Sequence, residues 1–365
     1  MSKSFEIFLI FYILVIVSAL VTPKLLWNTD NGSKCESDFP LSYPASNPSY
    51  VIETDGVKVY AWKHGQPFYE GFDFGEVLEK TVNDSNIEGG GLIYIKAGCY
   101  WVKWRHTFIG NSSHITYNVG VLIYKPRNII IAGEGNRTVI QASENTTNVM
   151  WIYNAVNFTL CNLVVDGNKQ AQYLWGQDRY AAILTEGGCA NMVFKDLLIR
   201  NCKYCGLFIC NSDVLGEVSG LEWLCPSANV TIYNVKTCGN DAFAIMLDAV
   251  HNGKAFNCTS QNDYYAVGFC GLEWDWWNIS QTFENITIIN PVYGILWGWH
   301  PEGKLKNLYI YLSRPQKGYL FDFTNATRIE VENVYIYAKI NIERLIYTNN
   351  DNVIFKGDFT ILIKG

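Results

Sequence analysis

Apolar and polar residues alternate with a period of two through most of this chain, in short runs that restart every 21 to 38 residues. The runs align on segments beginning at residues 128, 157, 191, 229, 252, 285, 307, 328 and 352. Their second and fourth positions are mainly apolar, as in Ile129/Ile131, Phe158/Leu160, Met192/Phe194, Val230/Ile232 and Ile286/Ile288. The third position is mixed, with Thr159, Thr231, Lys254, Thr287 and Glu330. Such alternation marks a strand with one buried face. The sixth position reads Gly133, Asn162, Asp196, Asn234, Asn257, Asn290, Leu312, Asn333 and Gly357. Eight of these nine are Gly, Asn or Asp, the residues that tolerate a left-handed backbone, so each strand is expected to bend sharply there. Repeated coil after coil, this predicts an all-β solenoid with Asn162, Asp196, Asn234 and Asn290 in one vertical column. A leucine-rich repeat would fit the length but lacks its leucine pattern here.

A helix is predicted over residues 74–85, where Phe74, Val77, Leu78 and Thr81 share one face. It precedes the first coil strand and would cover the open end of the stack, hiding unpaired strand edges. No matching helix follows the last strand pattern, so a loop or another subunit is expected at that end, and a homo-oligomer is one expectation. Ahead of the coils, Ile7 to Val21 is apolar apart from Ser18, with Lys3 before it and Pro23 and Lys24 after it. Fifteen residues suit a signal-peptide core better than a full membrane span. Residues 1–27 are therefore read as a signal peptide or a retained N-terminal membrane anchor, 28–50 as a polar linker or stalk, and 51–365 as the solenoid domain.

The stretch FDFGEVLEKTVNDSNIEGGGLIYIKAGCY, followed by GVLIYKPRNIIIAGEGNRTVIQAS, resembles the N-terminal region of the pectate-lyase-like superfamily. The shared features are a capping helix, a Gly-rich turn, a strand ending in Ala-Gly, and a strand closed by Gly-Glu-Gly, with Lys96 where proline is usual. The resemblance spans about residues 60–365. It implies a single-stranded right-handed parallel β-helix with an N-terminal capping helix. It implies less about activity, because this superfamily includes lyases, glycoside hydrolases, epimerases, phage tail spikes and surface proteins.

Composition narrows the partner. The net charge is −6, without a Lys/Arg-rich run, which excludes electrostatic nucleic-acid binding. Aromatic residues reach 15%, including 12 Trp and 23 Tyr, and rings of this kind suit the CH faces of sugars. Eleven Asn-X-Ser/Thr sequons fit an exported chain, although several occupy one repeat position. Eleven cysteines leave at least one thiol without a disulfide partner in the monomer, and Cys202 and Cys205 lack the second pair a zinc site needs.

Residues entering the third strand of each coil align as Arg179, Cys205, Asp241, then Asp263 or Tyr264, then Tyr293, with an error of one residue. Coils stack about 4.8 Å apart, which would make Asp241 and Asp263 vertical neighbours. Two carboxylates so close share a proton, bind a cation or act on a substrate, as in glycosidase pairs. The plainer alternative is that both are turn residues. GNDAFAI, at residues 239–245, resembles the polygalacturonase motif with two aspartates before an apolar strand. Asp241 matches the second, an acid/base residue in that family, and Asn240 replaces the first. That family's Gly-His-Gly and Arg-Ile-Lys are both missing. A lyase would need a basic residue, with Ca2+ as the candidate cofactor.

GLEWLC (220–225) and GLEWDWW (271–277) share a tetrapeptide, and LWGWHPEG (296–303) follows one coil later. Trp223, Trp274, Trp276 and Trp299 would hold a sugar chain, with Glu222, Asp275 and His300 beside them. The expected catalytic residues are Asp241 and Asp263 for proton transfer and Glu273 in reserve. Arg179, Tyr264 and Tyr293 complete the substrate groove. The leading expectation is a secreted or surface-anchored protein that cleaves or modifies a polysaccharide. The rival is a non-catalytic glycan-binding or structural module on a cell or virion surface.

Overall fold

The computed structural model describes residues 47–109, 116–172, 180–217, 225–270, 280–297, 302–324, 326, 328–342, 344–348 and 352–363. Most of the predicted address and stalk therefore lies outside the described residues. Tyr50, the last residue assigned to the stalk, is instead a buried member of the first strand, Tyr50–Thr54.

Two mainly parallel sheets, with antiparallel pairs at their N-terminal strands, wind around one apolar core. A 17-stranded sheet, here sheet A, holds the first two legs of each coil, and a 10-stranded sheet B holds the third. Strands of successive coils pair in parallel register, as in Phe158↔Met192, Met192↔Val230 and Val230↔Gly253. The alternation seen in the sequence puts Phe158, Phe194, Ile232, Phe283, Leu308 and Ile336 inside, all essentially inaccessible. Sheet B contributes Ile183, Leu207, Ile245, Val267 and Leu296 from the opposite wall, paired rung to rung.

Left-handed residues recur every five positions along sheet A. The first column holds Asn128, Asn157, Asn191, Asn229 and Asn252, linked by amide-to-amide hydrogen bonds of 2.8 to 3.0 Å. The second runs through Asn162, Asp196, Asn234, Asn257, Asn285, Asn307 and Asn333, with φ between +52° and +57°. The third includes Asn201, Gly239, Asn262 and Asn290.

Asn290 is thus not in the column of Asn162, Asp196 and Asn234. The pairing Phe256↔Glu284 and Thr259↔Thr287 brings Asn285 there, and Glu284↔Lys306 brings Asn307. The sequence alignment slipped by one five-residue leg in these two coils, because Asn285 and Asn307 each open an alternating run like those at the first bend, and Asn290 also ends its leg. The correction removes the one misfit, since Leu312 leaves the column and Asn307 takes its place. Parity within each leg is unaffected, so the core assignment stands.

The predicted helix forms over Phe74–Ile87. Asp73 caps it, its carboxylate accepting from the Glu76 amide at 3.1 Å. Phe74, Val77, Leu78, Thr81 and Val82 are buried, and Glu79 accepts from the Leu122 amide at 2.8 Å. Nine described cysteines carry thiols without disulfides, and all but Cys99 are buried. Burial pushes the Cys189 and Cys258 thiols up to about 12, which makes them inert packing groups. Among the described residues, no helix is long and apolar enough to cross a membrane.

Candidate functional site

The outer face of sheet B is the surface to which the sequence assigned chemistry. Its middle column is apolar: Trp151, Leu184, Phe208 and Met246 sit on consecutive rungs and are buried. Gly268 continues the column because a Cβ there would lie 2.2 Å from the Met246 sulfur. From Trp151 to Gly268 polar groups lie at the two margins, where the strands enter and leave, whereas Asp322 enters the same column two rungs beyond Gly268.

At the entry margin the backbone hydrogen bonds fix the register that the sequence left one residue uncertain. Asp241 N donates to Cys202 O, Tyr264 N to Asn240 O, and Tyr293 N to Tyr264 O, at 2.8 to 2.9 Å. Tyr264, not Asp263, therefore follows Asp241 along the outside. A one-residue shift exchanges the faces of a strand. Asp241 is exposed and paired with Lys169 at 2.8 Å, and the same ammonium reaches Gly239 O at 2.9 Å. The Tyr264 and Tyr293 rings stack with centroids 5.0 Å apart.

Asp263 faces inward and is fully buried. Its carboxylate accepts from Thr237 Oγ and Ser260 Oγ, both at 2.7 Å, and from Asn240 N at 2.9 Å and Asn240 Nδ2 at 2.8 Å. Asn240 Oδ1 in turn accepts from Cys202 N at 3.0 Å. Burial pushes the Asp263 carboxyl up to about 6, although the four donors pull the other way. The expected surface pair of Asp241 and Asp263 is thus replaced by one outward and one inward carboxylate. The second ties down the turn that carries the first.

The exit margin holds acids that the sequence reading passed over. Glu186 pairs in register with Tyr153, and Asp248 lies two rungs further on. Tyr153 donates to Asp213 at 2.5 Å, while Ser212 donates to Glu186 and contacts the Cys210 sulfur at 3.0 Å. Glu186, Ser212 and Asp213 are fully buried. Burial, helped by Asp213, holds the Tyr153 phenol well above its ordinary range, so it stays a donor. Tyr124 stacks on Tyr153 at 5.7 Å and donates to Glu217, which also pairs with Lys125 at 2.8 Å. The legible signal was an acid closing or following a sheet B strand in LTE (184–186), ICNSD (209–213) and MLD (246–248).

Arg179, Glu222, Trp223, Glu273, Trp274, Asp275, Trp276, Trp299 and His300 lie outside the described residues. The stretches with the tryptophans follow the strands Cys205–Ile209, Tyr265–Cys270 and Gly294–Trp297. Their roots are therefore at the exit margin, and Asp241 is at the entry, a strand length of about 17 Å away. Among the described residues no group of three His, Cys, Asp or Glu side chains is arranged to hold a metal ion.

No family model and no curated protein matches the chain. Solved structures do. The Escherichia coli protein ybhc is 11% identical, with 93% of this chain and 90% of that one covered and a TM-score of 0.50. A Geobacillus virus E2 protein, ORF18, is 12% identical over 84% of this chain and 69% of that one, also at 0.50. The A-module of an Azotobacter vinelandii mannuronan C-5 epimerase is 13% identical over 78% and 88%, at 0.46. The chain has a right-handed parallel β-helix fold. At such identities the likeness is one of fold.

Proposed function

We propose that this protein acts on a glycan laid across the outer face of sheet B, and that it works outside the cytoplasm. The observation that carries the reading is the division of that face. An apolar floor separates an exposed carboxylate, Asp241, with its stacked tyrosines from a buried acid–phenol cluster around Glu186, Asp213 and Tyr153. The floor itself is buried, so the surface left to a sugar is the half-buried Tyr264–Tyr293 stack, which suits its CH faces, with Asp241 beside it for its hydroxyls. The apolar segment at residues 7–21 agrees with an extracytoplasmic setting.

In this reading Asp241 exchanges a proton with the substrate, and its ion pair with Lys169 holds the carboxylate in place. Asp263 is a positioning residue that fixes the Asn240–Asp241 turn. Tyr264 and Tyr293 flank the sugar, and Glu273 with the tryptophans of the 220–225, 271–277 and 296–303 stretches would complete the groove. The helix Phe74–Ile87 serves as the N-terminal lid of the solenoid. Release of reducing ends or of unsaturated uronates from a polysaccharide panel tests the assignment. The Asp241→Ala variant should lose about 100-fold or more in rate, the scale of one acid–base group. Full activity in that variant would remove Asp241 from the chemistry.

The non-catalytic alternative has one observation in its favour: the central column of the described face bears no ionisable side chain on the rungs from Trp151 to Met246. Glycan retention without turnover by the whole panel would decide for it.

A further inference from the structure

A second place for a ligand lies away from sheet B, on the hairpin Val59–Lys63 and Gln66–Gly71. The two strands run antiparallel, with Ala61 opposite Tyr69 and Trp62 opposite Pro67. Phe68 is the extra residue of this bulge. Bulges re-aim a side chain and recur beside binding sites. Here the hairpin encloses a cleft of about 570 Å³ lined by Tyr60, Trp62, Phe68, Tyr69 and Glu70, among others. That volume falls in the range of roughly 300–1,000 Å³ in which small ligands are held.

The polar atoms of the rings are already engaged. Tyr60 donates to Asp55 at 2.8 Å, Trp62 Nε1 to Glu53 at 2.8 Å, and Tyr69 to Glu76 at 2.5 Å. These bonds lock the ring orientations and leave the apolar faces of Tyr60 and Trp62 on offer, whereas Phe68 and Tyr69 pack against the core, Phe68 edge-on to Tyr50 at 5.9 Å. The surrounding charges are largely paired: Glu53 with Lys96 at 2.5 Å and Glu70 with Lys58 at 2.8 Å. Lys63 lies over the Phe68 ring at 6.0 Å and pairs with Asp84 and Glu88, so six carboxylates, Glu53, Asp55, Glu70, Glu76, Asp84 and Glu88, outnumber three lysines around the cleft. A ligand with carboxylates of its own would be repelled. One with apolar faces and hydroxyl donors would be accepted, because each carboxylate keeps lone pairs free for further donors.

We infer that this cleft is a carbohydrate-binding site for a neutral sugar chain, separate from the face that carries the proposed chemistry. It holds the protein to a glycan surface whether or not sheet B is catalytic. Calorimetric titration of the full chain with cellohexaose, mannohexaose, maltohexaose and hexagalacturonate tests it, together with the tryptophan fluorescence response. At least one neutral hexasaccharide should bind, and hexagalacturonate should bind more weakly. The Trp62→Ala and Tyr60→Ala variants should each weaken that binding roughly tenfold, the loss of one stacked ring. Far-UV circular dichroism checks that the variants fold, and Trp62→Phe, which keeps a ring, should retain most of the affinity. Asp241→Ala should leave this binding unchanged, which separates failure here from failure of the catalytic reading. No binding of any neutral hexasaccharide, tighter binding of hexagalacturonate, or wild-type affinity in both folded alanine variants would overturn the proposal.

Discussion

Asn229 shows how much a single residue does in this fold. Its backbone sits at φ +54°, a conformation that costs a residue with a Cβ about 1–2 kcal/mol unless its side chain compensates. The side chain compensates twice, donating to Asn191 at 3.0 Å and accepting from Asn252 at 2.9 Å. Asn229→Gly keeps the backbone and loses the ladder, whereas Asn229→Ala loses both. Urea denaturation should therefore rank wild type above Gly and Gly above Ala, the last step being about 1 kcal/mol. The same chemistry accounts for much of the sequon excess. Asn157, Asn229, Asn257 and Asn285 stand at bends, and the threonine two residues on is a mixed or outward strand position. Those motifs follow from coil geometry and need no glycan to explain them.

Asp263 gives a second test at this scale, through its proton. Its folded pKa of about 6 lies above the ordinary 3.8, so the folded state holds the proton more tightly than the unfolded chain does. The stability this contributes is present in full below about pH 4 and is lost as pH rises through 6. The shift corresponds to about 3 kcal/mol. Asp263→Asn removes the titration, so the stability difference between wild type and variant should move against wild type from pH 4 to pH 7. Melts of both proteins across that window measure it, and a difference that stays constant would place the carboxyl's pKa elsewhere.

At the scale of elements, the strands and the helix were legible because their periodicity is set by burial, which the sequence encodes directly. The helix boundaries differ by two residues, at Asn86 and Ile87. Vertical register was less legible. A leg of five residues with Asn at both ends, as in NITIIN (285–290), fits either of two bends, and only pairing with the neighbouring coil chooses between them. The same weakness affected the site. A one-residue uncertainty at the third bend decided whether Asp263 or Tyr264 faces solvent, and the inward answer depends on Thr237, Ser260 and Asn240, which come from two neighbouring coils. Glu186 and Asp213 were overlooked for a related reason. An acid in an otherwise apolar strand reads as an interruption until the coil stack brings Tyr153 and Ser212 beside it.

Over the whole molecule, each coil touches mainly the coils before and after it, so stability is close to a sum of rung energies and nearest-neighbour interfaces. That makes position along the axis a variable in its own right. Phe194 lies in the middle of the stack, fully buried, between Leu160 and Ile232. Phe355 and Ile361 lie in the strand Val353–Ile363, are 37% and 38% exposed, and pair on one side with Arg328–Ala338. Phe194→Ala should cost about 3–5 kcal/mol, the range for a large side chain removed from a closed core. Phe355→Ala should cost well under half of that, because solvent already reaches the ring. Native-state hydrogen exchange would show the same gradient, with amides of Val353–Ile363 opening far more readily than those of Ala190–Arg200. The gradient bears on function, since Asp241 and the buried acids Glu186 and Asp213 sit on central rungs. Support from both neighbours holds carboxylates in fixed relation there, which a terminal coil could not do. Uniform exchange along the axis would mean that the solenoid opens as one unit, and the argument for a rigid central site would lose its basis.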